Sequence, residues 1–128
     1  MATKAIVEIR TPFTDERGEI QNVLDLPIGS VSRIVSKAGS VRASHFHKSD
    51  SHYCYLESGA VDYYHRPVGN TEKSEHYAFG VGELFYTPPM FEHTMVFSVD
   101  SVMWCFAANP RFSANYEADT VRVPSLAP

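Results

Sequence analysis

Positive charge is scarce relative to negative in this chain: 11 Lys and Arg stand against 15 Asp and Glu, a net −4 with the histidines neutral. That balance excludes the basic footprint of a nucleic-acid groove or of a protein held on an anionic membrane. Long apolar runs are missing too. The longest stretch free of Asp, Glu, Lys and Arg covers residues 101–110, well short of the roughly 20 apolar residues that a membrane span needs. Only two cysteines occur, Cys54 and Cys105, outside any Cys-x-x-Cys spacing, so no zinc knuckle or redox dithiol is written locally. Each lies in an apolar run and reads as a buried free thiol. There is no Gly-x-Ser-x-Gly elbow, no phosphate-cradling glycine loop before a helix and no paired acids in a glycosidase setting, which sets aside hydrolase and NTPase chemistry. Residues 1–8 carry an acid inside their first apolar stretch and lack a small-residue cleavage site. The expectation is a cytoplasmic protein with a small-molecule partner, no nucleic acid and no membrane.

What is present is a β pattern. The 128 residues are 44% hydrophobic, the balance of one globular domain. Short runs rich in Val, Ile, Tyr and Phe recur along the chain, and no long helical period interrupts them. Strands are expected at 5–9, 20–24, 31–36, 41–45, 52–57, 60–66, 76–79, 84–87, 94–97, 101–107 and 120–123, with glycine- or asparagine-bearing turns between them. Strands this short and this closely spaced make an all-β sandwich or a closed barrel with almost no helix. One domain over residues 1–123 is expected, followed by a loose tail at 124–128.

The six histidines are the informative feature. His45 and His47 stand two apart, and on a strand the side chains of i and i+2 share a face, so both imidazoles can converge on one point. His52 follows a polar stretch long enough to turn the chain and present a third imidazole. His93 lies just after the rigid segment Thr87-Pro88-Pro89-Met90, where the chain can return with a fourth. Four neutral imidazoles suit a divalent first-row metal: Ni, Zn, Fe, Mn, Co or Cu. His65 and His76 fall outside this spacing and read as ordinary surface residues.

These spacings resemble the cupin superfamily. Its first motif, G-x5-H-x-H-x(3,4)-E-x6-G, is met by Gly39, His45, His47 and Gly59, with His52 where the pattern has Glu. Its second, G-x5-P-x-G-x2-H-x3-N, is met by Gly82, Pro88 and His93, with Met90 and Phe97 replacing the last Gly and the Asn. The resemblance implies a double-stranded β-helix, or jelly-roll barrel, with a metal inside one mouth. A narrower resemblance links Asp15-Glu16-Arg17-Gly18, the stretch from Arg42 to Lys48 and the stretch from Phe97 to Met103 to the nucleotide-sugar 3,4-ketoisomerase branch of the cupins. That branch implies metal-free acid–base chemistry, which does not need His52 and His93.

An ion held by four neutral histidines keeps its full +2 charge and is the stronger electrophile toward a developing oxyanion, which favours carbonyl substrates. Three functions follow: an isomerase or epimerase of a nucleotide-linked keto-sugar, a metal-dependent dioxygenase, or a small-molecule-binding cupin without turnover. If the histidines are ligands, the proton carrier lies elsewhere, and Tyr86 and Glu92 are nearest by sequence. If they are not, His45 or His47 is the base, partnered by a tyrosine such as Tyr86. Arg17, Arg33, Arg42 and Lys48 are candidates to meet a phosphate at the rim. By alternation Tyr53 and Tyr55 lie opposite His52, an outward aromatic face consistent with a homodimer, whereas Cys54 and Leu56 share the face of His52.

Overall fold

A computed structural model describes residues 5–128 of the chain. It contains β1 (Ile6–Val7), β2 (Phe13–Asp15), β3 (Gly18–Ile20), β4 (Ser30–Ser36), β5 (Ser40–His47), β6 (His52–Ser58), β7 (Ala60–Pro67), β8 (Glu75–Gly80), β9 (Leu84–Thr87), β10 (Phe91–Phe97), β11 (Ser101–Ala107), α1 (Ser113–Asp119) and β12 (Thr120–Arg122). One sheet has the order β1-β9-β6-β11-β4 and a second the order β12-β5-β10-β7-β8, while β2 and β3 form a separate hairpin. All strand pairs are antiparallel, and the two large sheets interleave sequence neighbours as a jelly roll does.

Alternation decides what lies between the sheets. In β6, His52, Cys54 and Leu56 are buried while Tyr53 and Tyr55 are half exposed, and β11 repeats the rhythm with Ser101, Met103, Cys105 and Ala107 inward. Inward residues of both sheets join in one cluster that includes Leu56, Tyr63, Phe79, Phe85, Met95, Phe97 and Met103. Phe79 and Phe85 stack with ring centroids 4.5 Å apart, tying β8 of one sheet to β9 of the other. Each such fully buried large side chain contributes roughly 1.5–3 kcal/mol.

Two expectations fail locally, for physical reasons. Residues 21–29 form no strand: the Asn22 side chain donates to Asp25 at 2.7 Å, a local turn bond that competes with a ladder, and Pro27 follows. The strand at Ile20 belongs instead to the β2–β3 hairpin, with Ile20 exposed. A helix of seven residues, α1, stands where none was expected, because two turns are too short to display a period. The segment 124–128 has no regular structure, although the Leu126 N–H donates to buried Thr94 Oγ1 at 3.0 Å.

Gly59, between β6 and β7, has φ +89, and a Cβ there would meet Ser101 Oγ and lie 2.6 Å from Asp100 O. Both the left-handed backbone and the close approach require glycine. Gly59→Ala is expected to destabilise the fold by at least about 2 kcal/mol, read as a lower urea midpoint at unchanged slope.

Candidate active site and metal centre

The chain reaches the site through a distortion of β5. Ala43 (φ 66) and Ser44 (φ 56) are both left-handed although neither is glycine, a conformation that costs about 1–3 kcal/mol per residue and that clusters at functional sites. Opposite them, the pairing of β10 shifts register between His93 and Thr94. Beyond this kink His45 and His47 both turn inward, with ring centroids 4.6 Å apart. On β10, His93 stands directly across from His45, with centroids 4.7 Å apart, and is 0% exposed. Met90, which introduces β10, is also left-handed at φ 60, at the position where the cupin pattern has glycine. Its N–H donates to His47 O at 2.8 Å, which fastens the start of β10 to the end of β5.

Hydrogen bonds decide which ring nitrogens are free. The His93 Nδ1–H donates to Phe91 O at 3.0 Å, so its Nε2 carries the lone pair, and that atom is buried with no partner among the described residues. Thr120 spends its hydroxyl proton on Tyr116 O at 2.6 Å, so it accepts from His47 Nδ1–H at 3.2 Å and leaves the lone pair on His47 Nε2. His45 Nδ1 is buried and unpartnered too. One ligand atom from each of His45, His47 and His93 lies within 4.8 Å of the other two. Burial, with neighbouring His47, His52, Arg122 and Arg111, pushes the His45 pKa down to about 3. Burial and adjacent imidazoles also lower His47 and drive His93 well below the ordinary range. Three neutral imidazoles with converging free nitrogens fit a divalent ion.

His52 is adjacent, with ring centroids 5.6 Å from His47 and 5.4 Å from His93, yet it faces sulfur. Its Nδ1 is 3.6 Å from Cys54 Sγ, and it forms a second buried group with Cys54 and Cys105 whose ligand atoms again lie within 4.8 Å of one another. The two sulfurs perturb each other: Cys105 and burial raise the Cys54 pKa, while Cys54 and His52, against burial, hold Cys105 well below the usual thiol range. Burial opposes charge on His52, but the Cys105 sulfur outweighs it and leaves the His52 pKa above its ordinary value.

All but His47 of these residues line a cavity of about 360 Å³, together with Met95, Met103, Tyr116 and three arginines, Arg42, Arg111 and Arg122. The arginines are exposed, and no described carboxylate lines the cavity, so its mouth is electropositive although the whole chain is acidic. Arg111 lies over the Tyr116 ring, 4.6 Å from its centroid.

No protein-family profile and no curated protein matches the chain. Solved structures do. The TDP-quinovose 3,4-ketoisomerase WlaRB from Campylobacter jejuni superposes with a TM-score of 0.78 at 18% identity, covering 95% of this chain and 94% of that one. ChmJ, a 3'-monoepimerase from Streptomyces bikiniensis in complex with dTDP-quinovose, gives 0.75 at 15% identity over 93% of this chain and 69% of that one. The capsular polysaccharide assembling protein CapF from Staphylococcus aureus gives 0.67 at 22% identity over 91% of this chain, which spans only 34% of that protein. The fold is the cupin barrel.

Within the cupin barrel, the sequence-derived candidates separate. His45, His47 and His93 come together and His52 stands beside them, turned toward the thiols. Tyr86 lies on the outer face of its sheet, its ring 4.6 Å from that of Tyr53, and Glu92 pairs with Arg66 at 2.9 Å; neither lines the cavity. Of the four cationic candidates only Arg42 lines it: Arg17 binds Asp15 in the hairpin, Arg33 sits over Trp104 on the outer face, and Lys48 is exposed on the β5–β6 connection.

His65 is not a surface residue. It is 0% exposed, its Nε2–H donates to Glu75 at 3.1 Å, and Tyr63, itself bonded to Thr87 at 2.7 Å, donates to its Nδ1 at 3.1 Å. Polar neighbours in sequence hid an inward position that alternation with Tyr63 and Val61 assigns. His76 is exposed as expected, bonded to Asp62. Tyr116, Arg111 and Arg122 carry no motif in the sequence, because α1, the connection that precedes it and β12, far along the chain, bring them to the cavity.

Proposed function

We propose that this chain is an isomerase or epimerase of a nucleotide-linked keto-sugar, acting in the cytoplasm as a homodimer, and that it holds one divalent transition metal on His45, His47 and His93. The observation that carries the reading is the pair of buried, unpartnered nitrogens, His45 Nδ1 and His93 Nε2, in one triad beneath an arginine-rimmed mouth. The solved structures with this barrel that are described as a ketoisomerase and an epimerase act in support. When bound, the ion supplies Lewis-acid stabilisation of negative charge on a carbonyl oxygen.

The protein groups do the rest. Arg42, Arg111 and Arg122 bind the diphosphate at the mouth, which leaves the sugar to enter the apolar and imidazole-lined interior. Tyr116 takes the proton-carrying role for which Tyr86 and Glu92 were candidates. Burial raises its pKa and Arg111 lowers it, so the phenol stays protonated at neutral pH and gives its proton to an oxygen or carbon that has gained charge. The outer aromatic and aliphatic face that includes Val31, Val35, Tyr53 and Tyr55 is the surface for the second copy.

A second reading rests on the Thr120 relay, which holds His47 Nε2 as a lone-pair acceptor whether or not an ion is present. His47 is then the base of a metal-free isomerase and Tyr116 its acid. Assay of the purified chain against thymidine- and uridine-diphosphate keto-sugars, before and after exhaustive chelation, separates the readings. The expected result is turnover that disappears with the ion and returns when the ion is restored. Arg111→Ala combined with Arg122→Ala is expected to raise KM at least about tenfold with a smaller effect on kcat. Turnover by the chelated protein selects the His47 base, substrate-dependent oxygen uptake selects a dioxygenase, and metal loading without either reaction leaves a binding protein.

A further inference from the structure

The cavity has two chemically different walls. His45, His47 and His93 all belong to the β5–β10 sheet, whereas His52, Cys54 and Cys105 all belong to the β6–β11 sheet that faces it. Cys54 and Cys105 stand directly across from each other in the β6–β11 ladder, and both side chains point inward, 1% and 5% exposed. His52 precedes Cys54 by two residues and so shares its face. The result is two sulfurs and one imidazole nitrogen gathered within 4.8 Å, with His52 Nδ1 3.6 Å from Cys54 Sγ. Met95 and Met103 line the same cavity, so this end is rich in soft sulfur.

We propose that Cys54, Cys105 and His52 form a second metal site, distinct from the histidine triad, for one thiophilic d10 ion, zinc(II) or copper(I). Ligand softness favours it, because thiolates select such ions where imidazole alone does not. Charge favours it as well. Two thiols that release their protons on binding place two negative charges on a zinc ion and make the buried centre neutral, whereas three neutral imidazoles leave a dication uncompensated in a low-dielectric interior. Cavity volume beside the cluster leaves room for a fourth ligand, water or a substrate sulfur or oxygen, to complete a tetrahedron.

The site does not depend on the catalytic reading. Titration of the reduced full chain with cobalt(II) tests it, because only sulfur ligation produces the intense thiolate-to-cobalt charge-transfer absorption of the near ultraviolet. The expected result is a band that appears in the wild-type chain, survives His45→Ala combined with His93→Ala, vanishes in Cys54→Ser combined with Cys105→Ser, and is bleached by zinc. In the wild-type chain, where no folding defect can intervene, one equivalent of zinc is expected to slow alkylation of both thiols at least about tenfold. A wild-type chain with no such band, thiols that zinc does not protect, or a band lost with the triad histidines overturns the separate site. Turnover that survives chelation sinks the triad instead and leaves the thiolate band unaffected.

Discussion

His93→Ala is expected to lower the affinity of the histidine triad for a divalent ion by more than about 100-fold, beyond the 10–100-fold typical of losing an outer-shell partner. The substitution removes the ring whose Nε2 is buried and unpartnered and whose Nδ1 is already committed to Phe91 O. Thermal denaturation with and without metal reads the effect. An ion present at 100 times its Kd stabilises the wild-type chain by about 2.7 kcal/mol, and that increment is expected to vanish in the variant. The chelated variant, by contrast, loses less than an ordinary core truncation, because the deletion also removes an unsatisfied buried acceptor. A variant that keeps the triad's metal increment would disprove ligation by His93. Isothermal titration on the Cys54→Ser, Cys105→Ser background isolates the triad from the sulfur wall.

Acid is expected to unfold the metal-free chain well above the pH at which its carboxylates titrate. The His45 pKa falls from 6.5 to about 3 on folding, so the unfolded chain takes up a proton that the folded chain refuses. For a group depressed in this way the stabilisation is complete above the unfolded value and is lost as pH falls from about 6.5 toward 3. His45 alone accounts for about 3 kcal/mol by pH 4.5 and on the order of 5 kcal/mol below pH 3. His47, His65 and His93 are depressed as well and act in the same direction, while His52, raised, contributes in the opposite sense, its stabilisation being lost as pH rises through its folded value. Urea midpoints measured between pH 7 and 4.5 check this. A flat profile would mean that water reaches these rings in the folded state. With a bound ion the loss steepens, because protons and metal compete for the same nitrogens.

The barrel was legible wherever a local rule governs. Period-two alternation placed β6 and β11 and assigned Cys54 and Leu56 to the face of His52, and Gly39, Gly59 and Gly82 marked turns that do adopt positive φ. His45 and His47 were legible as a pair because two residues on one strand share a face. The same rule, applied to His65, gives its burial beside Tyr63, against the surface position that its polar neighbours suggest. Other features are non-local and have no signature within reach of a motif. The Cys54–Cys105 juxtaposition depends on the register of β6 against β11, and Tyr116 reaches the cavity only because Thr120 ends α1 and pairs with His47 across β12 and β5. Tyr86 and Glu92 are near the histidines in sequence but turn away from the cavity, since each sits on the outward phase of its strand.

The left-handed Ala43, Ser44 and Met90 lie on β5 and at the start of β10, inside the barrel framework, whereas Arg111, Tyr116 and Arg122 lie on a separate segment that crosses the mouth. The positions that shape the imidazole-bearing strands therefore lie in the framework, as does Arg42 on β5, while Arg111 precedes α1, Tyr116 lies on that short helix and Arg122 on a three-residue strand paired with β5; none of these last three belongs to the buried core cluster. Arg42 apart, the proposed ligand contacts and the buried core are thus written on different stretches of the chain. A lineage can retune what it binds by substitutions at Arg111, Tyr116 and Arg122 while keeping Asp119 and Thr120, which fasten this segment to the barrel, and divergence among barrels of this shape should be concentrated at such positions.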